Sequence, residues 1–281
     1  MHTRTLAGDV TAIQDCMEIP GLGVLPVNAF LVNADQPLLV DTGLPGSRGA
    51  FLEALGNLID LADLRWIWLS HPDRDHTGSL YELLDAAPRA RVITTFLGAG
   101  ILSIERPIPM DRVYLLNPGQ SFDLGDRKLT AFRPPLYDSP ATTGFFDSLT
   151  GTVFSSDCFG APVSSAELAV AGDVADLPAD DLAAGQRLWA TADSPWISGV
   201  DRASFTRGLE PLRALDPPLL LSTHLPPATG RATEFLDLLA TLPGVEPFMG
   251  PDQAALEEML RQFEPEPPQD QPVAVASHAS L

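Results

Sequence analysis

One short segment constrains this chain more than any other. His71-Pro72-Asp73-Arg74-Asp75-His76-Thr77-Gly78 follows directly on the run Leu64-Arg65-Trp66-Ile67-Trp68-Leu69. The run reads as a buried strand, and the segment places two histidines and two carboxylates within six residues. Side chains alternate along an extended backbone, so His71, Asp73 and Asp75 project the same way if extension persists past the strand end. Neutral imidazole and ionised carboxylate are good ligands for zinc, iron or manganese. A helix cap would need one such residue, not four.

Of the five histidines, His2 and His278 lie near the ends of the sequence, which leaves His71, His76 and His224. His224 closes Leu219-Leu220-Leu221-Ser222-Thr223-His224 and is followed by Leu225-Pro226-Pro227. That repeats the layout of Trp68-Leu69-Ser70-His71-Pro72, an apolar strand that ends in histidine and then breaks. Two such strand ends suit a metal site at one edge of stacked sheets.

The net charge is −20, from 17 Lys and Arg against 37 Asp and Glu. An acidic surface repels nucleic-acid backbones and anionic membranes, and no basic stripe is interleaved with aromatics. No stretch has the length of a membrane span and no signal segment opens the sequence. Cys16 and Cys158 could form at most one bridge, so a disulfide scaffold is not indicated and a cytoplasmic protein is the simplest reading.

Strand-like segments Val27–Val32 and Pro37–Asp41 flank a turn, and a helix is expected over about Ser47 to Asp60. After the ligand segment come a short helix with Leu80, Leu83 and Leu84 on one face, a strand Arg91–Thr95 and a weaker helix near Phe96 to Ser103. A second batch of strands covers Arg112–Leu116, Ser121–Leu124, Lys128–Arg133, Gly144–Asp147 and Thr152–Ser156. Helices are expected at Asp181–Ala192, Ala203–Leu215, Ala232–Leu242 and Gln253–Phe263. Two successive β-then-α batches predict two mixed sheets packed face to face with helices outside. The domain is expected to span 1–263; the Pro-, Gln- and Ser-rich stretch 264–281 is expected to be a disordered tail.

These features resemble the metallo-β-lactamase fold superfamily, an αββα sandwich, over about Ile19 to Phe263. Where the usual signature is His-x-His-x-Asp-His, this chain has His71-x-Asp73-x-Asp75-His76. Thr152-Val153-Phe154-Ser155-Ser156-Asp157 matches the strand that delivers a bridging aspartate, and Ser222-Thr223-His224 matches the last ligand histidine. A carboxylate in place of the second histidine resembles the flavodiiron proteins and their stand-alone, oxygen-binding di-iron relatives. There the carboxylate is usually glutamate; here it is Asp73. The resemblance implies metal ligands His71, Asp73, Asp75, His76, Asp157 and His224, with Asp75 and Tyr137 nearest the chemistry and Asp41 and Asp138 in support. One departure stands out: Pro134-Pro135-Leu136-Tyr137-Asp138 carries Tyr137 where that branch has another histidine ligand. The position built on Asp75, His76, Asp157 and His224 has a full set. The position of His71, Asp73 and Asp157 lacks one, which Tyr137, Asp138, water or substrate could supply.

Hard, carboxylate-rich ligation favours one or two iron ions over zinc, with manganese also suitable. The expected function is a non-haem iron oxidoreductase reacting with O2, peroxide or NO, or an O2-binding protein. A zinc-dependent hydrolase of an ester, lactone or thioester is the alternative, since fold does not fix the reaction; a metal or O2 sensor without turnover is a third. The expected partners are a small-molecule substrate or O2, an external electron donor in place of an appended flavodoxin domain, and a second copy in a homodimer. Trp189 and Trp196 are candidate pocket walls, with core packing as the default.

Overall fold

A computed structural model describes residues 1–6 and 8–263 of the chain. The first of its two compact units, Met1–Phe248, holds both sheets. One sheet follows chain order: β1 (His2–Thr5), β2 (Val10–Ile19), β3 (Gly23–Val32), β4 (Leu38–Val40), β5 (Trp66–Trp68), β6 (Arg91–Thr94) and β7 (Val113–Leu115). Strands β1 to β4 run antiparallel, and β4 to β7 run parallel. Parallel neighbours need crossovers. These are α1 (Arg48–Gly56) after β4, α2 (Arg74–Thr77) and α3 (Leu80–Ala86) after β5, and α4 (Phe96–Glu105) after β6.

The second sheet begins with the meander β8 (Ser121–Asp123), β9 (Lys128–Phe132), β10 (Gly144–Asp147) and β11 (Val153–Phe154). Helices α5 (Ala166–Ala169), α6 (Ala179–Asp193) and α7 (Arg202–Leu215) then cross over to β12 (Leu219–Leu221), which pairs parallel with β11. The edge strand β13 (Ala228–Thr229) and α8 (Ala232–Ala240) close the unit.

The central strands β4, β5 and β12 are short and apolar because both of their faces are covered. Phe30, Val32, Val40 and Trp68 point between the sheets, where they meet Phe145, Phe154 and Leu221. Their neighbours Ala29, Leu31, Leu39 and Ile67 point the other way, onto Phe51 and Leu55 of α1 and Leu83 of α3. On the second sheet Val153 and Leu220 face outward onto Leu182, Leu209 and Phe235 of the covering helices. Period-two alternation thus builds three apolar layers, and the expected architecture of two mixed sheets with helices outside is what forms.

Two differences from the sequence reading lie at the start of the chain. Strand β3 begins at Gly23 rather than Val27, and all ten of its residues pair with β2, from Val10↔Val32 to Ile19↔Gly23. Strand β2 went unread because Gln14, Asp15 and Glu18 break its apolar pattern. Gln14 is nevertheless buried, and its amide donates to the Ala171 carbonyl at 3.3 Å.

The second unit begins at Met249 and, among the described residues, carries the helix α9 (Gln253–Phe263), as expected. The tail expected at 264–281 lies outside the described residues. No helix among the described residues is long and apolar enough to cross a membrane.

Candidate metal centre

The chemistry-bearing residues sit where parallel strands end. Asp41 follows β4, His71 to His76 follow β5, Asp157 follows β11 and His224 follows β12. Both sheets therefore deliver their carboxyl ends to one edge of the sandwich, the usual place for a site in sheets of this kind. The loop between β9 and β10 adds Asp138.

Extension does not persist after β5. The backbone turns into α2 at Arg74, with Asp73 at the cap position and its carboxylate making no capping hydrogen bond. Helix α2 can pack here only because Gly78 has no side chain: a Cβ would lie 2.2 Å from the Gly43 carbonyl oxygen. Asp73 and Asp75 consequently point to different places, and the shared direction expected from a strand does not occur. Asp73 lies beside His71, with 3.9 Å between carboxylate and Nε2. Asp75 lies 3.6 Å from His76 Nε2 and 3.3 Å from His224 Nε2.

Hydrogen bonds fix which nitrogen of each histidine faces the site. His224 Nδ1 donates to the Pro26 carbonyl at 2.7 Å, and His76 Nδ1 donates to Asp41 Oδ2 at 2.9 Å. Both partners only accept, so both Nδ1 atoms carry a proton and Nε2 is the nitrogen that each ring turns toward the site. His71 is fixed through a chain of two hydroxyls. The Ser70 hydroxyl donates to Asp41 Oδ2 at 2.8 Å, and the Ser156 hydroxyl donates to Ser70 Oγ at 2.9 Å. Each hydroxyl has one proton to give, so His71 Nδ1, 3.2 Å from Ser156 Oγ, is the donor in that pair.

All three Nε2 atoms converge on Asp157, which divides its oxygens between them. Oδ1 lies 3.1 Å from His76 Nε2 and 3.4 Å from His224 Nε2; Oδ2 lies 3.4 Å from His71 Nε2. Two donor groups result. An inner group comprises Asp75, His76, His224 and Asp157 Oδ1. An outer group lies around His71 Nε2 and comprises Asp73, Asp138 and Asp157 Oδ2, with Asp138 Oδ1 at 3.8 Å; His71, His76 and Asp157 also lie close together where the two groups meet. Donors bonded at ~2.0–2.1 Å to a tetrahedral ion stand about 3.3–3.4 Å apart, so these separations fit one ion in each group after small adjustments. Two buried atoms call for such a partner: His76 Nε2 and Asp157 Oδ1 have no hydrogen bond. Buried polar atoms are rarely left so.

The charge balance is equally specific. Burial would raise the Asp157 carboxyl, but His71, His76 and His224 together hold it well below the usual range. Burial likewise opposes ionisation of Asp75, and His76 and His224 outweigh it, so its carboxyl is also lowered. The histidines move the other way. Burial would depress His224, but Asp157 and Asp75 push it up to about 10, and Asp157, Asp41 and Asp75 raise His76 well above its ordinary value. Asp73 is raised, by burial first and with help from Asp138.

Asp193, at the end of α6, went unread in the sequence. Its carboxylate joins Asp138 and Asp157 in a third group of close oxygens. Burial, followed by Asp157 and Asp138, pushes its carboxyl up to about 7. No motif surrounds it, so only the fold reveals it. Ser70, Ser156 and Gly160 were also unread as site residues. A Cβ on Gly160 would lie 2.6 Å from the Trp189 ring and 2.8 Å from His224 Cβ, so this glycine lets the indole lie against the imidazole. Trp189 Nε1 also donates to the Asp157 carbonyl at 3.1 Å.

Other expected neighbours fall out as follows. From the loop after β9, Asp138 reaches His71. The Tyr137 ring lies against Trp196, 5.0 Å between centroids, with the Arg133 guanidinium 5.0 Å from its own centroid. Arg74 pairs with Glu105 on α4 at 2.7 Å rather than with Asp73. Cys158 is a buried thiol whose pKa burial raises strongly, so it is unreactive at neutral pH.

Residues 22–136 match the model of the metallo-beta-lactamase superfamily, a span that includes His71 to His76 and stops short of Asp138, Asp157 and His224. The relatives and solved structures that the chain resembles include diflavin flavoproteins, flavorubredoxins and flavodiiron proteins. Diflavin flavoprotein A 1 of Synechocystis sp. is 30% identical over 168 residues, 57% of this chain and 29% of that one. The anaerobic nitric oxide reductase flavorubredoxin of Salmonella typhi is 27% identical over 134 residues, 47% of this chain and 28% of that one. The chain spans less than a third of the length of these two relatives. Among solved structures, the rubredoxin oxygen:oxidoreductase of Desulfovibrio gigas superposes with a TM-score of 0.73 at 18% identity, over 85% of this chain and 61% of that one. The flavodiiron protein of Giardia intestinalis gives 0.73 at 15%, over 85% and 59%. At these identities the structural likeness is one of fold.

Two predictions follow from the hydrogen-bond chain and the charges. Asp41→Asn puts amide protons where Ser70 and His76 need acceptors; it should weaken metal binding about 10–100-fold while the far-UV circular dichroism stays native. Unchanged affinity in a metal titration would contradict that. In metal-stripped protein the raised His224 contributes stability that is whole below about pH 6.5 and lost as pH rises through about 10. Denaturant midpoints should fall across that window, and metal affinity should rise across it because binding must displace the imidazole protons. A midpoint that climbs with pH would refute the charge assignment.

Proposed function

We propose that this chain is a non-haem di-iron oxidoreductase that reduces O2 or NO with electrons from a separate donor. The observation that carries the reading is the division of Asp157 between two histidine groups, the geometry a carboxylate needs to bridge two ions. In this reading His71, Asp73 and Asp157 hold the outer ion, and Asp75, His76, Asp157 and His224 hold the inner one. Three imidazoles set among several carboxylates favour iron or manganese over zinc. The names of the D. gigas and S. typhi proteins, an oxygen oxidoreductase and a nitric oxide reductase, support the same substrates.

Bound iron would pass on the donor's electrons and offer open coordination positions to small oxidants. The chain's own residues do the rest. His76 and His224 are buried, which keeps water from the inner side, whereas Asp73 is about half exposed and leaves the outer side open to a diatomic molecule. Reduction of O2 to water consumes four electrons and four protons, and reduction of two NO to N2O and water consumes two of each. Asp193, which holds its proton up to about 7 beside Asp138 and Asp157, is placed to furnish protons from the chain itself. Tyr137, packed at a tilt against Trp196, acts by holding the loop that carries Asp138. Electrons come from an external donor, and two free cysteines suit a reducing, cytoplasmic setting.

Protein purified without added metal should contain iron, show a visible chromophore, and consume O2 or NO when supplied with an artificial reductant. Stoichiometric zinc, no colour, and hydrolysis of an ester, lactone or thioester without O2 consumption would replace this reading with a hydrolytic one.

A further inference from the structure

The outer and inner donor groups are not equivalent. The inner group offers two imidazole nitrogens and two carboxylate oxygens; the outer offers one imidazole nitrogen and three carboxylate oxygens once Asp138 is counted. Asp138 is held in place by an organised loop. Thr142 Oγ1 donates to Asp138 Oδ1 at 3.3 Å, Trp196 Nε1 donates to the Tyr137 carbonyl at 2.8 Å, and Arg133 donates to the Pro140 carbonyl at 2.9 Å. The far end of the loop is pinned to the ligand strand itself, since Thr143 N donates to the carbonyl of Ser70 at 2.7 Å, one residue before His71. The outer histidine is 1% exposed and directs its Nε2 at Asp73, Asp138 and Asp157 together.

We propose that Asp138 is the completing ligand of the outer ion, and that the two halves of the centre select different metals: iron in the inner half and manganese in the outer. This deepens the two-metal reading above and rests on it. Imidazole suits iron, whereas carboxylate oxygen suits manganese. Nitrogen- and oxygen-donor sites in general bind iron(II) above manganese(II), and replacing a nitrogen by a carboxylate oxygen narrows that gap. The outer half is therefore where manganese competes best. The exposed Asp73 carboxylate also leaves that half the more exchangeable of the two.

The test is competitive loading of the full chain under anaerobic conditions, with iron(II) limiting and manganese(II) in about tenfold excess, an excess that offsets the general preference for iron. Metal content is then measured on the desalted protein. One iron and one manganese per chain are expected. Asp138→Asn, which retains an oxygen acceptor for Thr142, should lose the manganese and keep the iron. Asp138→His should take a second iron in place of manganese. Two metals of one kind in the wild-type protein, or an Asp138→Asn protein that keeps both equivalents, would overturn this inference and leave the two-metal reading standing. No more than one metal per chain in the wild type would overturn both. Circular dichroism of each variant separates lost ligation from lost fold.

Discussion

The carboxylate of Asp41 sets the direction of the protons on Ser70, Ser156, His71 and His76 behind the metal centre. It accepts from Ser70 N and Oγ, from Thr223 Oγ1 at 3.3 Å and from His76 Nδ1. Because it only accepts, Ser70 must donate to it, Ser156 must donate to Ser70, and His71 must donate to Ser156. Two imidazoles from one ligand segment are thus fixed in one tautomer by a single buried anion, 1% exposed. The same carboxylate joins the ends of β4, β5 and β12, so the site's electronics and the closure of the sandwich edge depend on one group.

The arrangement is held against local strain. Asp41 and Ser156 both adopt left-handed backbone, at φ 57° and 54°, conformations that cost a non-glycine residue on the order of 1–3 kcal/mol. Each turn reverses the chain sharply enough for its side chain to face back toward His71 and His76. Close approach does the remaining work: Gly78 admits α2 against the Gly43–Pro45 loop, and Gly160 admits Trp189 against His224. The apolar layers then make these loops rigid, because Phe145 stacks on Phe154 at 4.3 Å and lies 4.5 Å from Trp68, immediately beneath the strand ends that carry the ligands.

Much of this was legible in the sequence, for identifiable reasons. An apolar run that ends in histidine marks β5 and β12 as buried strands delivering a polar group to one edge, and doubly covered strands show as unbroken apolar runs. The turn into α2 at Arg74 was not legible, because Asp73 serves equally as strand end or helix cap; that ambiguity hid the divergence of Asp73 from Asp75. Tyr137 and Asp138 are adjacent, and alignment with a motif cannot tell which of two neighbours a loop turns inward. Asp193 lies 36 positions from Asp157 on a helix with no motif around it, and only the packing of α6 brings it to the site. Strand β2 was hidden because Gln14, buried with a partner, looks in sequence like an exposed residue, and Asp15 and Glu18 follow where the strand is less covered.

The central claim is that Asp157 bridges two metal positions, each completed by residues from both sheets. Anomalous diffraction from crystals of the metal-loaded protein addresses it directly. The account predicts two anomalous peaks about 3.5–4 Å apart, the spacing of a bridged pair, one beside Asp157 Oδ1, His76, His224 and Asp75 and the other beside Asp157 Oδ2, His71, Asp73 and Asp138. A single peak, or two peaks that Asp157 does not join, would contradict it.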